Sequence, residues 1–150
     1  MASELTKLNA FIMFKVPAAW LCGVRIRSLE KQSCTVSVRH RWINQNPFNS
    51  LYFAVQAMAA ELSTGALVMK QVRESGRQVS MLVKANNSTF TKKATGKITF
   101  ACPDGLLVEE AITRAIETGE GQTLWMSSRG VNEDGVEVSA FNFEWTLKLK

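Results

Sequence analysis

The chain has a single histidine and only three cysteines. Cys22, Cys34 and Cys102 form no CxxC pair or other ligand-spaced set, so no structural zinc site is expected. The odd cysteine count and the want of a signal-peptide pattern point to a reducing compartment, and we expect a cytoplasmic protein. No GxGxxG or GxxxxGK run occurs, which leaves nucleotide-dependent chemistry without a motif. Long apolar runs are missing as well. FIMF is cut off by Lys15, and VPAAWLCGV carries Pro17, so neither part reaches the length of a membrane span and no stable membrane insertion is expected. No internal repeat and no linker interrupts the chain. The positive charge, +5 overall, is scattered over Arg25/Arg27, Arg39/Arg41, Lys92/Lys93 and the Lys148/Lys150 tail. A nucleic-acid binder concentrates such residues on one element, so no nucleic-acid partner is expected. They read as solvated strand faces or as a local positive rim for an anionic ligand such as a phosphorylated carrier.

What is present suffices for one domain with a substantial core: 150 residues, 46% hydrophobic and 21% charged. Ser3 caps an amphipathic helix over residues 3–14 with Leu5, Leu8, Phe11 and Ile12 on one side. Pro17 opens a second short turn that Gly23 ends. Two strands follow, 23–29 and 33–42. In the second, Val36, Val38, His40 and Trp42 face one way, and Ser37, Arg39 and Arg41 the other. His40 has no partner at a nucleophile-pair spacing and reads as structural.

The run NQNPFNSLYFAVQAMAAELSTG, residues 44–65, is the least ordinary in the chain. A polar segment containing Pro47 leads into a helix capped by Asn49 or Ser50 and ended by Gly65. Leu51, Tyr52, Phe53, Val55, Met58 and Leu62, with several alanines, cover nearly its whole circumference, which marks a buried helix. One carboxylate, Glu61, sits among them and needs some partner or function there. Strands are then expected over 66–74 and 78–86, joined by a turn at SGR, and over 97–102. A surface helix runs from Gly105 to Thr118. The last residues form a long hairpin, GQTLWMSSR and VEVSAFNFEWTLKLK about the turn GVNEDG. The pattern predicts an α+β domain, one curved antiparallel sheet wrapped around a central buried helix.

A strand pair, a polar loop, a buried helix with one acid and a run of long antiparallel strands resembles the hotdog fold of acyl-CoA thioesterases. It is most similar to the PaaI-like and DUF4442 branches. The strongest local match spans Asn46 to Glu61, supported by FTKKATGKITFAC and by Gly135 before the last strand. The resemblance divides the chain into an N-terminal helical segment, 1–23, packing on a single hotdog domain, 24–150. In PaaI-like enzymes an asparagine precedes a His-Gly pair at the helix start, and an acid lies deeper in the helix. Here those positions carry Asn46, Tyr52, Phe53 and Glu61.

The resemblance implies hydrolysis of an acyl thioester of coenzyme A or of an acyl carrier protein. Glu61 acts as general base or nucleophile, Asn46 holds the water or the acid, and amides at the helix start face the oxyanion. Asn49, Tyr52, Phe53, Gln56 and Met58 are candidates to contact the substrate, and Lys92 and Lys93 to attract its phosphates. No cofactor is implied beyond coenzyme A as part of the substrate. The implied partner is a second copy, as a homodimer or a dimer of dimers. The alternative is a non-catalytic hotdog protein that binds an acyl chain or acyl conjugate, motivated by the missing His-Gly pair. The residues also have structural readings: Glu61 bonding loop amides or a partner residue across the dimer interface, Asn46 and Asn49 shaping the turn and capping the helix, Tyr52, Phe53 and Met58 filling core.

Overall fold

The computed structural model describes residues 3–150, so the first two residues of the N-terminal segment lie outside it. Helix α1 spans Glu4–Lys15, and the Ser3 side chain accepts from the Thr6 amide at 3.1 Å, the cap expected from the sequence. Pro17 opens the short helix α2, Pro17–Leu21. Strands β1 (Arg25–Leu29) and β2 (Cys34–Arg39) follow as an antiparallel pair. Helix α1 is tied to this pair by one side chain. Asn9 Nδ2 donates to the Ile26 carbonyl at 2.9 Å, and Asn9 Oδ1 accepts from the Ile26 amide at 2.8 Å. A side-chain amide thus takes the place of a neighbouring strand beside β1, the outermost strand on that side of the sheet.

Strand β2 is shorter than the pattern predicts. Its alternation ends at Arg39, and Trp42–Asn44 wind into one 3-10 turn held by the Asn44 side chain. Trp42 is consequently 83% exposed rather than aligned with the buried Val36 and Val38.

The central helix α3 runs from Phe53 to Ser75, ten residues past the expected stop at Gly65. The strand expected over 66–74 is its second half. Gly65 does not end the helix; it lets Trp145 of the last strand pack against it, since an added Cβ would lie 3.2 Å from the indole Cζ2. The true terminator is Gly76, in the left-handed conformation at φ 71°. At the other end, neither Asn49 nor Ser50 is the cap. Asn49 takes a positive φ of 62° inside the preceding loop, and the cap position falls on Tyr52.

Strands β3 (Val79–Phe90) and β4 (Lys97–Cys102), helix α4 (Gly105–Thr118), and strands β5 (Gln122–Val131) and β6 (Glu137–Leu149) complete the chain. The sheet order is β1-β2-β4-β5-β6-β3, with every neighbouring pair antiparallel. The sheet curves around α3, which is the hotdog arrangement.

Three polar side chains of α3 meet the inner face of the sheet. Gln56 Oε1 accepts from Ser139 at 2.7 Å, Ser63 donates to Ser128 at 2.7 Å, and Thr64 Oγ1 accepts from the Trp145 indole at 2.9 Å. These bonds fix the rotation of a helix whose alanine-rich surface would fit the sheet in several ways. They also determine which residues of α3 face the site.

Candidate functional site

The loop before α3 is organised by Asn46. Its Oδ1 accepts from the Phe48 amide at 2.9 Å and the Ser50 amide at 3.2 Å, and its Nδ2 donates to Ser50 Oγ at 2.9 Å and the Leu51 carbonyl at 3.2 Å. Both ends of the side chain are therefore engaged within the loop. Leu51 N–H bonds the Ala94 carbonyl at 2.9 Å, which fastens the loop to the segment before β4.

The Tyr52 amide is satisfied by the Asn44 carbonyl at 3.0 Å. The next two, on Phe53 and Ala54, have no acceptor among the described residues, as the first turn of a helix requires. These two amides carry the positive end of a 23-residue helix dipole.

A cleft of about 400 Å³ opens beside this helix start. It brings together Asn46, Phe53, Gln56, Lys92 and Lys93 from the expected site, and adds Phe48 and Phe90. Phe90 was not foreseen. It reaches the inner face because a register shift between Val83 and Ala85 turns the second half of β3 over, setting Asn86, Ser88 and Phe90 opposite Phe143, Phe141 and Ser139. Lys93 Nζ bonds the Phe48 carbonyl at 3.3 Å, spanning the mouth of the cleft.

The other expected residues lie elsewhere. Tyr52 is half-exposed and meets Phe53 edge-on, at 5.2 Å between ring centroids. Met58 packs against the core, and Asn49 is exposed in the loop. A second cavity, between α1, β1 and α3, holds only about 40 Å³, roughly room for a water molecule or two.

Glu61 does not line the cleft. It sits about two turns further along α3, on the flank facing Trp145, with its Oε1 near the open side of Gly65. The residue is half-buried, and desolvation pushes its carboxyl above the ordinary glutamate value. Among the described residues no side chain or amide donates to that carboxylate and no cation pairs with it. Its oxygens still reach solvent, because among the described residues the only fully buried side-chain polar atom left without a partner is His40 Nε2. The structural role in which Glu61 bonds loop amides is thus not the one it has here.

Fold and cleft together define a hotdog-type domain. The match to the family described as Domain of unknown function (DUF4442) covers residues 6–147, and the chain belongs to that family. No curated protein matches the sequence. Among solved structures, a Pseudomonas aeruginosa protein of unknown function, described as "Probable Thioesterase", shares 22% identity at a TM-score of 0.83, over 97% of this chain and 96% of that one. A Chlorobaculum tepidum protein of unknown function shares 16% at 0.82, over 96% and 93%. A thioesterase enzyme from Staphylococcus aureus shares 13% at 0.70, over 88% and 98%. It has been crystallised with a glutamine replaced by alanine and, separately, with a glutamate fifteen residues further on replaced by alanine. At these identities the likeness is one of fold.

Proposed function

We propose that the protein hydrolyses acyl thioesters, of coenzyme A or of an acyl carrier protein, with Glu61 as general base. The observation that carries this reading is the unpartnered, half-buried carboxylate of Glu61 on the central helix. A charge held at that cost with no structural partner has the environment of a working base. Glu61 takes a proton from water, the water oxygen attacks the thioester carbonyl, and the amides of Phe53 and Ala54 receive the oxyanion. Collapse expels the thiolate, which recovers the proton from Glu61. The spacing from Asn46 to Glu61, fifteen residues, equals that of the two positions altered in the Staphylococcus aureus thioesterase, which supports our reading of this chain as PaaI-like. With its side chain engaged in the loop, Asn46 acts by positioning the helix start.

The two halves of this machinery belong to different subunits. Glu61 and Phe53 are eight residues apart on one helix, about 12 Å along its axis at 1.5 Å per residue. A reacting carbonyl must lie within about 3 Å of both the oxyanion donors and the attacking water. A homodimer resolves this by setting two α3 helices side by side, so that Glu61 of one copy works with the amides of the other. Strand β3, twelve residues long and last in the sheet order, offers the edge for such pairing. The acyl group lies along Phe53 and Phe90, and Lys92 and Lys93 draw in the phosphates. Three free thiols suit a reducing cytoplasm.

Complementation between two inactive variants tests this arrangement. Phe53→Pro deletes one oxyanion donor at the helical position where proline is best tolerated, after a Tyr52 whose φ −61° and ψ 137° already suit it. Mixed with Glu61→Gln chains, it forms hybrid dimers with one intact site. Random exchange between equal amounts restores about a quarter of the wild-type sites in a twofold dimer. No recovery from the mixture, with each variant folded and dimeric, refutes the shared site. The second reading, acyl binding without turnover, is favoured by the Phe53 ring, which stands half-exposed at the helix start where the resemblance to PaaI-like enzymes implies a glycine. It predicts a retained acyl ligand in native mass spectra and no hydrolysis at any chain length.

A further inference from the structure

Arg25, Arg27, Arg39 and Arg41, scattered in the sequence, converge with Lys97 on one cleft of about 330 Å³. The register shows how. Arg25 and Arg27 lie on β1, Arg25 opposite Ser37 of β2, and Arg39 of β2 opposite Lys97 of β4. Ile26, Val36, Val38 and Ile98 alternate with these residues and are buried in the core, so the cations project from the opposite, outer face of the sheet. Arg41 follows from the loop and packs over Gly23, whose missing Cβ leaves room for its guanidinium.

Five cations share this cleft, and one carboxylate, Glu133, touches its margin through Arg39 at 3.8 Å. Like charges gathered this closely repel one another. Burial, then Arg41 and Arg27, lower the Arg25 pKa. The repulsion is held in check by rigid supports. Arg25 Nη1 donates to the Trp20 and Val24 carbonyls at 2.8 and 2.9 Å, and its guanidinium stacks 3.4 Å from the Trp20 ring centroid. Arg27 Nε donates to Ser37 Oγ at 2.6 Å. Each guanidinium keeps further N–H groups, and planar forks of this kind match phosphate oxygens. Preorganised cations with unused donors and almost no counter-charge are what an anion site requires.

We propose that this outer-face cleft is an anion site that takes a phosphate or pyrophosphate group. The proposal does not depend on thioester hydrolysis, since the cluster shares no residue with the cleft at the start of α3. The phosphate can come free in solution or from a coenzyme.

Titration calorimetry of the full-length protein with inorganic pyrophosphate, and separately with coenzyme A, tests the site. Saturable one-to-one binding of pyrophosphate is expected, weakened about tenfold or more in Arg27→Gln through loss of a charge-assisted contact. Glu133→Gln is expected to tighten binding several-fold, because it removes the one competing carboxylate while its amide oxygen can still accept from the Lys97 amide. A misfolded variant cannot imitate that gain. Lys148→Gln, outside the cleft, should leave affinity unchanged. Equal affinity for the two ligands assigns the phosphate group alone as the determinant; tighter binding of coenzyme A, lost in Arg27→Gln, assigns the coenzyme as the source. Absence of saturable binding by either ligand overturns the proposal. So does binding that Arg27→Gln and Glu133→Gln leave unchanged.

Discussion

Replacing Glu61 by glutamine should move activity and stability in opposite directions. Glutamine keeps the shape and half-burial of the side chain but cannot accept a proton from water near neutral pH. Loss of a positioned general base typically lowers the rate about 10²–10⁴-fold, or roughly 3–5 kcal/mol of barrier. Stability changes the other way. Burial raises the carboxyl above its ordinary 4.5, so the folded state binds a proton more tightly than the unfolded chain. The contribution of Glu61 to wild-type stability is therefore greatest below pH 4.5 and is lost as pH rises through the folded value, by at most about 1.4 kcal/mol per pH unit. Glutamine has no such decline. Glu61→Gln should match the wild type in urea unfolding near pH 4 and exceed it at pH 8. Acyl-CoA hydrolysis should be nearly abolished at pH 8, and the wild-type kcat/KM should fall in acid at a pH above that of an ordinary glutamate. If Glu61→Gln is less stable than the wild type at pH 8, the carboxylate holds the fold together and the reasoning fails. If it hydrolyses thioesters at the wild-type rate, the base lies elsewhere.

Three further outcomes follow from the packing around the helix. Thr64→Val keeps side-chain volume but leaves the buried Trp145 indole N–H without its acceptor at 2.9 Å, and should cost about 1–3 kcal/mol in denaturant unfolding. A cycle with Trp145→Phe should recover most of that loss. Gly105→Ala should cost several kcal/mol, or prevent soluble expression, because the new Cβ would run into the Lys31 carbonyl and the Gln32 backbone; Gly119→Ala, with no atom in the way, should cost only the roughly 1–2 kcal/mol strain of a non-glycine residue at its left-handed φ of 72°. Burial pushes the Cys34 and Cys102 thiols up to about 12 from 9.0, so at pH 8 a thiol reagent should label Cys22 alone until the protein unfolds. Folded stability should then decline between pH 9 and about 12, since ionising those thiols favours the unfolded chain.

Local chemistry was legible in the sequence wherever it decided the structure. Ser3 caps α1, Pro17 starts α2, and the two arms of the final hairpin alternate as their residues suggest. The reading failed where tertiary packing overrode a local signal. Gly65 carries the usual mark of a helix end, yet it is a contact surface for Trp145, a residue eighty positions away. The run ALVMKQVRE is short and β-branched enough to pass for a strand, and only the continuation of α3 beneath the sheet makes it helical. Likewise no periodicity shows that one residue between Val83 and Ala85 turns the rest of β3 over, or that four arginines from β1, β2 and the loop after it share one cleft. The cleft residues Asn46, Phe53 and Gln56 could be foreseen because they flank the helix start in sequence as well as in space, whereas Lys92 and Lys93 read only as a basic pair for an anionic ligand.

The register shift in β3 ties the aromatic residues around the cleft into one series. Without it Phe90 would point to the outer face. With it, Phe90 stands edge-on to Phe53 at 6.4 Å and to Phe141 at 5.6 Å, and Phe141 stacks on Phe143 at 6.0 Å. Tyr52 extends the series outward through Phe53. The rings pass from about half exposed at Tyr52, Phe53 and Phe90 to 2% and 4% exposed at Phe141 and Phe143. An acyl chain leaving water gains from each such surface it covers, by about 25 cal/mol per Å² of apolar area. On the proposed reading Tyr52 and Phe53 stand where the PaaI-like pattern has His-Gly, and their rings extend an apolar wall to the free amides at the helix start. The backbone donors at Phe53 and Ala54 remain, because they depend on where the helix begins and not on which side chain stands there.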